Sequence, residues 1–130
     1  MIGGNTEFEA EPVTEIQDLS ALQQTQSRPA NDFANDLRWL GEWYLSQCNG
    51  VWEHCYGIEI SMIDNPGWKV LIDLTGTRYD GAYSTQNLER SDSATDWIRC
   101  RIADQRFEGF GDPSKLAELV STFRNWIVGF

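Results

Sequence analysis

The chain has 130 residues and a mass of 14.8 kDa, which suffices for one hydrophobic core and excludes a multidomain enzyme. Its 20 acidic residues outnumber its 10 basic ones, for a formal net charge of −10, so nucleic acids and anionic membranes are not expected partners. The three cysteines lack the regular spacing of a disulfide framework, and no apolar leader or bilayer-length apolar stretch is present. We therefore expect a cytoplasmic protein.

The first 32 residues differ in composition from the rest of the chain. They contain neither Trp nor Tyr and are rich in Glu, Gln, Thr and Ser, a composition that cannot bury enough apolar surface to form a core. We predict a flexible acidic extension over residues 1–32 and a folded domain over residues 33–130. Apolar residues recur at every third position of the extension, at Val13, Ile16, Leu19 and Leu22. A short amphipathic helix that docks or dimerises is therefore an alternative to disorder.

A helix is predicted at the start of the folded domain. Its apolar stripe consists of Phe33, Leu37, Leu40 and Tyr44, flanked by Trp39 and Trp43. Asn35 or Asp36 can cap the free N–H groups of the first turn. Asn49-Gly50 can end the helix, because both residues readily adopt the left-handed conformation.

A second helix is predicted at the other end of the domain. Asp112-Pro113 is a strong start signal, since the carboxylate can cap the helix and Pro at its first position loses no needed donor. The apolar stripe of this helix consists of Leu116, Leu119, Val120, Phe123 and Ile127.

Between the two helices the apolar residues recur with a period of two, which predicts strands. One strand places Tyr56, Ile58, Ile60 and Met62 on one face, and the next places Trp68, Val70, Ile72 and Leu74 on one face. Pro66-Gly67 fits the centre of the turn between them. Pairing the two apolar faces requires Met62 to lie opposite Trp68 or Val70, because a shift of one residue would expose the core.

A second hairpin follows. Ile98, Cys100 and Ile102 share one face of its first strand, and Trp97, Arg99 and Arg101 share the other. A reversal at Asp104-Gln105 places Ile102 opposite Phe107 and Arg101 opposite Glu108. A further strand near Tyr83 or Leu88 completes an antiparallel sheet of four to five strands. With the N-terminal and C-terminal helices packed on one face of this sheet, the predicted fold is a two-layer α+β domain.

Few residues suggest catalysis. His54 is the single histidine and its neighbour Cys55 points the other way in an extended chain, so a Cys-His pair would need Cys48 or Cys100. A zinc site would need Cys48, either His54 or Cys55, and Cys100 to converge without the paired ligand spacing of known zinc motifs. We predict no catalytic residues, no metal and no cofactor.

The polar side of the predicted sheet is the remaining candidate for function. It carries Glu59, Lys69, Asp73, Trp97, Arg99 and Arg101. One interpretation is a solvated face with cross-strand ion pairs, since single exposed aromatic residues are ordinary. The other is a recognition surface in which Trp97 is surrounded by acidic residues that suit a basic partner.

Several consecutive segments of the chain closely resemble the immunity protein 53 family of bacterial polymorphic-toxin systems. They are WYLSQCNGVWEHCYGI (residues 43–58), DNPGW (64–68), IDLTGT (72–77), DWI (96–98) and FEG (107–109). The resemblance extends over about residues 37 to 128, and the order of the segments makes it more specific than any one of them.

The resemblance implies a cytoplasmic, non-enzymatic protein that binds a cognate toxin domain and blocks it in the producing cell. We expect a basic toxin and a monomer or weak dimer of the immunity protein. The candidate toxin-binding residues are Glu53, Glu59, Asp73, Asp80, Glu89, Asp92, Asp96 and Trp97. The alternative from another class is a small-ligand or carbohydrate-binding module that uses Trp97 and neighbouring aromatic residues, which would require an aromatic-lined pocket.

Overall fold

The computed structural model describes residues 30–81 and 87–129. Within these ranges the helices are α1 (Ala30–Gln47), α2 (Trp52–Cys55) and α3 (Leu116–Val128). The strands are β1 (Ile58–Ile63), β2 (Gly67–Asp73), β3 (Asn87–Ser93), β4 (Asp96–Ala103) and β5 (Arg106–Gly111). The predicted extension up to residue 29, with its amphipathic segment, and the possible strand at Tyr83 lie outside the described residues.

The strands form one antiparallel sheet in the order β1-β2-β5-β4-β3. The long helices α1 and α3 pack on one face of it, around a core that includes Val70, Ile72 and Phe107. The predicted α+β class is therefore confirmed, with five strands. The strand near Leu88 is β3, and it pairs with β4 at the sheet edge.

The first hairpin adopts one of its two predicted registers, and the register predicted for the second is confirmed. In the first, Met62 pairs with Trp68 and Ile58 with Ile72, which keeps the apolar residues of β1 and β2 on one face. In the second, Ile102 pairs with Phe107 and Arg101 with Glu108. Asp104 and Gln105 turn the chain with φ angles of 54° and 59°, the left-handed conformations that tight two-residue hairpin turns require.

The turn before β2 differs from its prediction in one residue. Pro66, which follows a cis peptide bond, lies in the turn, but Gly67 is already the first residue of β2 and pairs with Ile63. A Cβ atom at Gly67 would overlap the carbonyl oxygen of Gly111, which extends from β5. Glycine is therefore needed here for close approach of two backbones rather than for the turn itself.

Helix α1 begins earlier than predicted, at Ala30 rather than near Asn35. Its predicted apolar stripe is confirmed except at one position: Leu40 is in the core, Phe33 and Tyr44 pack against it, and Leu37 is 41% exposed. The neighbouring Asp36 is buried, and its carboxylate accepts a hydrogen bond of 3.0 Å from Arg124 of α3. With this ion pair on the buried side of the helix, Leu37 faces outward.

The core is built around Phe123 of α3. Its ring centroid lies 5.1 Å from those of Trp43 and Phe107 and 5.9 Å from that of Trp39. Trp52 is also buried, and its indole N–H donates to the carbonyl oxygen of Thr75. Trp39, Trp68 and Trp126 pack against the core while partly exposed.

The start of α3 differs from its prediction. The helix begins at Leu116, and no side chain caps it. The residues from Asp112 to Lys115 form a turn, closed by a 3.0 Å hydrogen bond from the Lys115 N–H to the Asp112 carbonyl oxygen. Asp112 therefore organises the chain just before the helix rather than the helix itself.

The carboxylate of Asp112 is 1% exposed and joins β4 to the turn before α3. It accepts hydrogen bonds from the backbone N–H of Trp97 (2.8 Å) and of Ser114 (2.8 Å), and from Lys115 Nζ (2.6 Å). Burial raises the pKa of Asp112, but these hydrogen bonds, that from Lys115 foremost, outweigh burial and hold it well below its ordinary value. The same pair raises the pKa of Lys115.

We predict that Asp112→Asn lowers the free energy of unfolding at pH 7 by about 3 to 5 kcal/mol, because it leaves a buried ammonium group without its closest counter-ion. Because the folded-state pKa of Asp112 is depressed, its contribution is complete above the ordinary value of 3.8 and is lost as the pH falls below it. Urea unfolding at pH 7 and pH 3 should therefore show a smaller acid loss in the variant than in the parent.

The matched control is Asp96→Asn, since Asp96 also binds Lys115 Nζ (2.7 Å) but its side chain is 55% exposed. We expect it to cost no more than about 1 kcal/mol. Equal losses for the two variants would contradict the assigned importance of Asp112.

We also predict that Gly67→Ala lowers the free energy of unfolding by about 1 to 3 kcal/mol, because the added methyl group forces β2 away from β5. Gly57→Ala is the control, since a Cβ atom there meets nothing within 4 Å, and it should stay within about 0.5 kcal/mol of the parent. Thermal or urea unfolding measures both, and a neutral Gly67→Ala would show that the backbone approach is not constrained.

Candidate functional site

The face of the sheet opposite the helices is the main candidate site, and we call it the open face. Antiparallel pairing places alternate residues of neighbouring strands in rows across it. One row runs Glu59, Leu71, Glu108, Arg101 and Asn87, and the next runs Ser61, Lys69, Phe110, Arg99 and Glu89. Helices α1 and α3 pack on the opposite face of the sheet, so among residues 30–81 and 87–129 neither long helix covers the open face.

Ion pairs fix several side chains of the open face. Lys69 Nζ lies 3.2 Å from Glu59 Oε2, and Arg101 Nε lies 2.9 Å from Glu108 Oε1. Arg106 approaches the other oxygen of Glu108 at 3.3 Å. The hydrogen bond from Lys69, together with its charge, lowers the pKa of Glu59. These pairs hold the middle of the face in one arrangement.

The open face is balanced in charge, unlike the chain as a whole. Its strands carry the cations Lys69, Arg99, Arg101 and Arg106 and the acids Glu59, Asp73, Glu89 and Glu108. A face of mixed sign is selective, because a partner must match both signs at the right places.

Glu89 and Arg99 lie opposite each other on β3 and β4 but form no ion pair. Among the described residues, neither has a salt-bridge partner, although both side chains are exposed. The Arg99 guanidinium lies instead over the ring of Phe110, 6.0 Å from its centroid. Within the part of the chain that the structure describes, one unpaired acid and one unpaired base therefore lie side by side.

A basin of about 290 Å³ lies beside these two residues. Its lining includes the apolar side chains of Ile63, Trp97 and Phe110 together with Glu89 and Arg99. A Cβ atom at Gly67 would come within 3.2 Å of Trp97 Cζ2, so the indole packs over the bare backbone of β2. Trp97 is thus a partly buried wall of the basin rather than a freely projecting anchor.

The predicted site residues fall into three groups. Glu59, Asp73, Glu89 and Trp97 lie on the open face. Asp92 and Asp96 lie on either side of the β3–β4 turn, next to a bulge at residues 91–93. Asp73 also accepts a 2.9 Å hydrogen bond from the N–H of Gly57.

The third group, Glu53 and Asp80, lies outside the sheet. The carboxylate of Glu53 accepts hydrogen bonds of 2.9 Å from the N–H groups of Asn49 and Gly50, and backbone hydrogen bonds, the largest from its own amide, lower its pKa. Asp80 accepts a 2.9 Å hydrogen bond from Gly76. Both carboxylates therefore stabilise loops.

Phe110 and Arg106 of the open face were missed from the sequence. Since Ile102 is predicted to pair with Phe107 on the apolar side, side-chain alternation places the even-numbered residues of β5 on the polar side. The same alternation would therefore have predicted that Arg106 and Phe110 lie on the open face. Glu108 was placed there by its predicted pairing with Arg101, but its burial, with 7% of its surface exposed, was not foreseen.

The cysteines and the histidine occupy unrelated positions. Cys100 is fully buried in the core, and burial raises its pKa to about 12. Cys55 and His54 are exposed, and Cys48 donates a hydrogen bond to the carbonyl oxygen of Tyr44. Within residues 30–81 and 87–129, no three His, Cys, Asp or Glu side chains are grouped in a way that could hold a metal ion. The same ranges contain no helix with the length and apolar character that crossing a bilayer requires.

We predict that Cys55 reacts with a thiol reagent in the native protein at pH 8 and that Cys100 does not. Cys55 is exposed, whereas the Cys100 thiol is buried and protonated at this pH. Mass spectrometry after brief labelling measures both sites, and labelling in urea is the control that shows Cys100 to be reactive once unfolded. Rapid native labelling of Cys100 would contradict its place in the core.

Comparison with known families gives one match. Residues 37–128 match the family described as Immunity protein 53. No curated protein and no solved structure matches the chain. The matched segment covers well over half of the chain and includes all five strands, α3 and most of α1. The chain therefore belongs to the immunity protein 53 family.

Proposed function

We propose that the protein binds a cognate toxin domain in the cytoplasm of the producing cell and neutralises it by stoichiometric binding. The observation that carries this proposal is membership of an immunity protein family over residues 37–128. Such families have toxin partners and are generally non-enzymatic, so function requires a binding surface and no catalytic group or cofactor.

The open face, extended by the β3–β4 turn, is the toxin-binding surface that the geometry supports best. It is broad, it lies opposite the helices, and ion pairs such as Lys69–Glu59 hold its side chains before a partner arrives. A preordered surface loses less side-chain entropy on binding than a flexible one. The basin beside Trp97 offers the concave, partly apolar place in which interface energy is usually concentrated.

The charges suggest how the toxin is recognised. The net charge of −10 attracts a basic protein at long range and speeds association. At short range, Glu89 and Asp92 can pair with basic side chains of the toxin, and Arg99 can pair with an acidic one. The long-range field thus favours basic toxins in general, while the unpaired Glu89 and Arg99 select among them.

We predict that Glu89→Lys and Asp92→Lys each slow association with the toxin domain about tenfold at low salt, with a smaller effect at high salt. Neither carboxylate has an ion-pair partner among the described residues, so stability should change by no more than about 1 kcal/mol, with the larger loss in Glu89→Lys because it places a second positive charge opposite Arg99. Stopped-flow or surface plasmon resonance measures the rates, and co-expression with the toxin measures protection. Asp96 is unsuitable for this test because its carboxylate binds Lys115.

The matched control is Glu42→Lys, which makes the same charge change at an exposed position of α1. It alters the net charge equally but lies off the open face, so it should retain most of the association rate. If Glu42→Lys slows association equally, the slowing reflects the change in net charge and not the position of the substituted residue. Unchanged kinetics in Glu89→Lys and Asp92→Lys would remove this end of the open face from the binding surface.

The basin also supports a second candidate, recognition of a small aromatic-stacking ligand such as a sugar. It has the aromatic lining that this alternative requires, with Trp97 and Phe110 among its walls. However, its volume of about 290 Å³ is at the lower end of ligand pockets, which span about 300 to 1,000 Å³. Toxin binding therefore remains the first proposal.

A further inference from the structure

The two edges of the sheet differ in how they resist pairing with another chain. The β3 edge carries Glu89, Arg90 and Asp92 and has a bulge at residues 91–93, features that discourage strand addition. Among residues 30–81 and 87–129, nothing gives the β1 edge these protections. It pairs with β2 without a register shift, and its single charged residue, Glu59, is paired with Lys69.

Apolar side chains are exposed along the unprotected edge. Ile60 is 38% exposed and Met62 is 53% exposed, although both point to the helix side of the sheet. A groove of about 560 Å³ lies between α1 and the start of β1, and its lining includes Leu37, Tyr44 and Ile58. A regular, mostly apolar edge strand is a candidate for strand pairing.

The backbone groups available at this edge follow from the β1–β2 pairing. The Asp73 N–H donates to the Gly57 carbonyl oxygen at 3.0 Å, so Gly57 faces β2. Backbone groups of an antiparallel strand alternate in direction, and β1 is regular, so its odd-numbered residues bond to β2. The N–H and C=O groups of Ile58, Ile60 and Met62 therefore point to the free edge. The same three residues carry the apolar side chains.

We propose that two copies of the protein pair through antiparallel β1 strands, with Ile60 opposite Ile60 of the second copy. This register also places Ile58 opposite Met62, so apolar side chains meet on the helix side. Each of the three residues contributes one N–H and one C=O group, which gives about six hydrogen bonds across the edge. Centring the pair on Ser61 would leave the groups of Ile58 unused.

The charges of the strand are compatible with a second copy. In the proposed register Glu59 lies opposite Ser61, so the two Glu59 side chains do not face each other, and each is already neutralised by Lys69. The net charge of −10 repels a second copy at long range. Salt screens this repulsion, so self-association should strengthen with salt while toxin association weakens.

Light scattering or sedimentation of the full chain tests the proposal over a range of concentrations and salt. We expect the mass to rise from 14.8 kDa toward twice that value. Ile60→Lys should weaken self-association at least about a hundredfold, since two like charges would face each other at the centre of the pair. Met62→Lys provides a second, more exposed variant should the first fold poorly. Ser61→Lys is the matched control, because it adds the same charge to β1 on the open face and opposite Glu59 of the second copy. It should retain self-association.

Amide hydrogen exchange locates the interface. The N–H groups of Ile58, Ile60 and Met62 should become protected as the concentration rises, while those of Glu59 and Ser61 stay protected throughout because they bond to β2. A mass that stays at 14.8 kDa at all concentrations would overturn the proposal, whatever the exchange rates of these three amides. Protection of the amides that does not depend on concentration would then show that the edge is covered within a single copy. A dimer that survives both Ile60→Lys and Met62→Lys would also overturn it.

Discussion

The buried pair of Asp112 and Lys115 connects the parts of the molecule on which its surface depends. One carboxylate binds the Trp97 backbone on β4, the turn after β5 and the ammonium group that precedes α3. Because the Trp97 backbone is held in this way, the residue whose indole lines the basin of the open face is anchored to the interior. The interior ion pair thus supports one wall of the proposed binding surface.

Two glycines of β5 allow α3 and the turn before it to pack closely against this strand. A Cβ atom at Gly109 would come within 3.0 Å of Leu119, and one at Gly111 would overlap Lys115 Cβ at 2.6 Å. Helix α3 can therefore lie directly on β5, with Phe123 reaching Phe107 at a centroid distance of 5.1 Å. Gly109 and Gly111 are thus the places where β5 contacts α3 and the turn before it.

Local patterns predicted the strands and both hairpin registers, because side-chain alternation constrains pairing to a few choices and opposite charges at Arg101 and Glu108 select among them. The exposure of Leu37 was not predictable in this way, since it depends on a pair between Asp36 and the distant Arg124. The candidate site was only partly foreseen for the same reason. Sequence patterns do not reveal that Glu59 is paired with Lys69 whereas Glu89 forms no ion pair with the opposite Arg99. They also do not reveal that the carboxylates of Glu53 and Asp80 accept hydrogen bonds from nearby backbone amides.

The alternation of β-strand side chains divides the sequence of the sheet into two nearly independent sets. Even-numbered positions of β4, such as Ile98 and Cys100, are buried against the helices, whereas Arg99 and Arg101, which alternate with them, lie on the open face. Substitutions in the outward set can therefore change the chemistry of the open face without repacking the interior. If the open face is the binding surface that we propose, single-residue changes there would be enough to change its partner while the core stays the same.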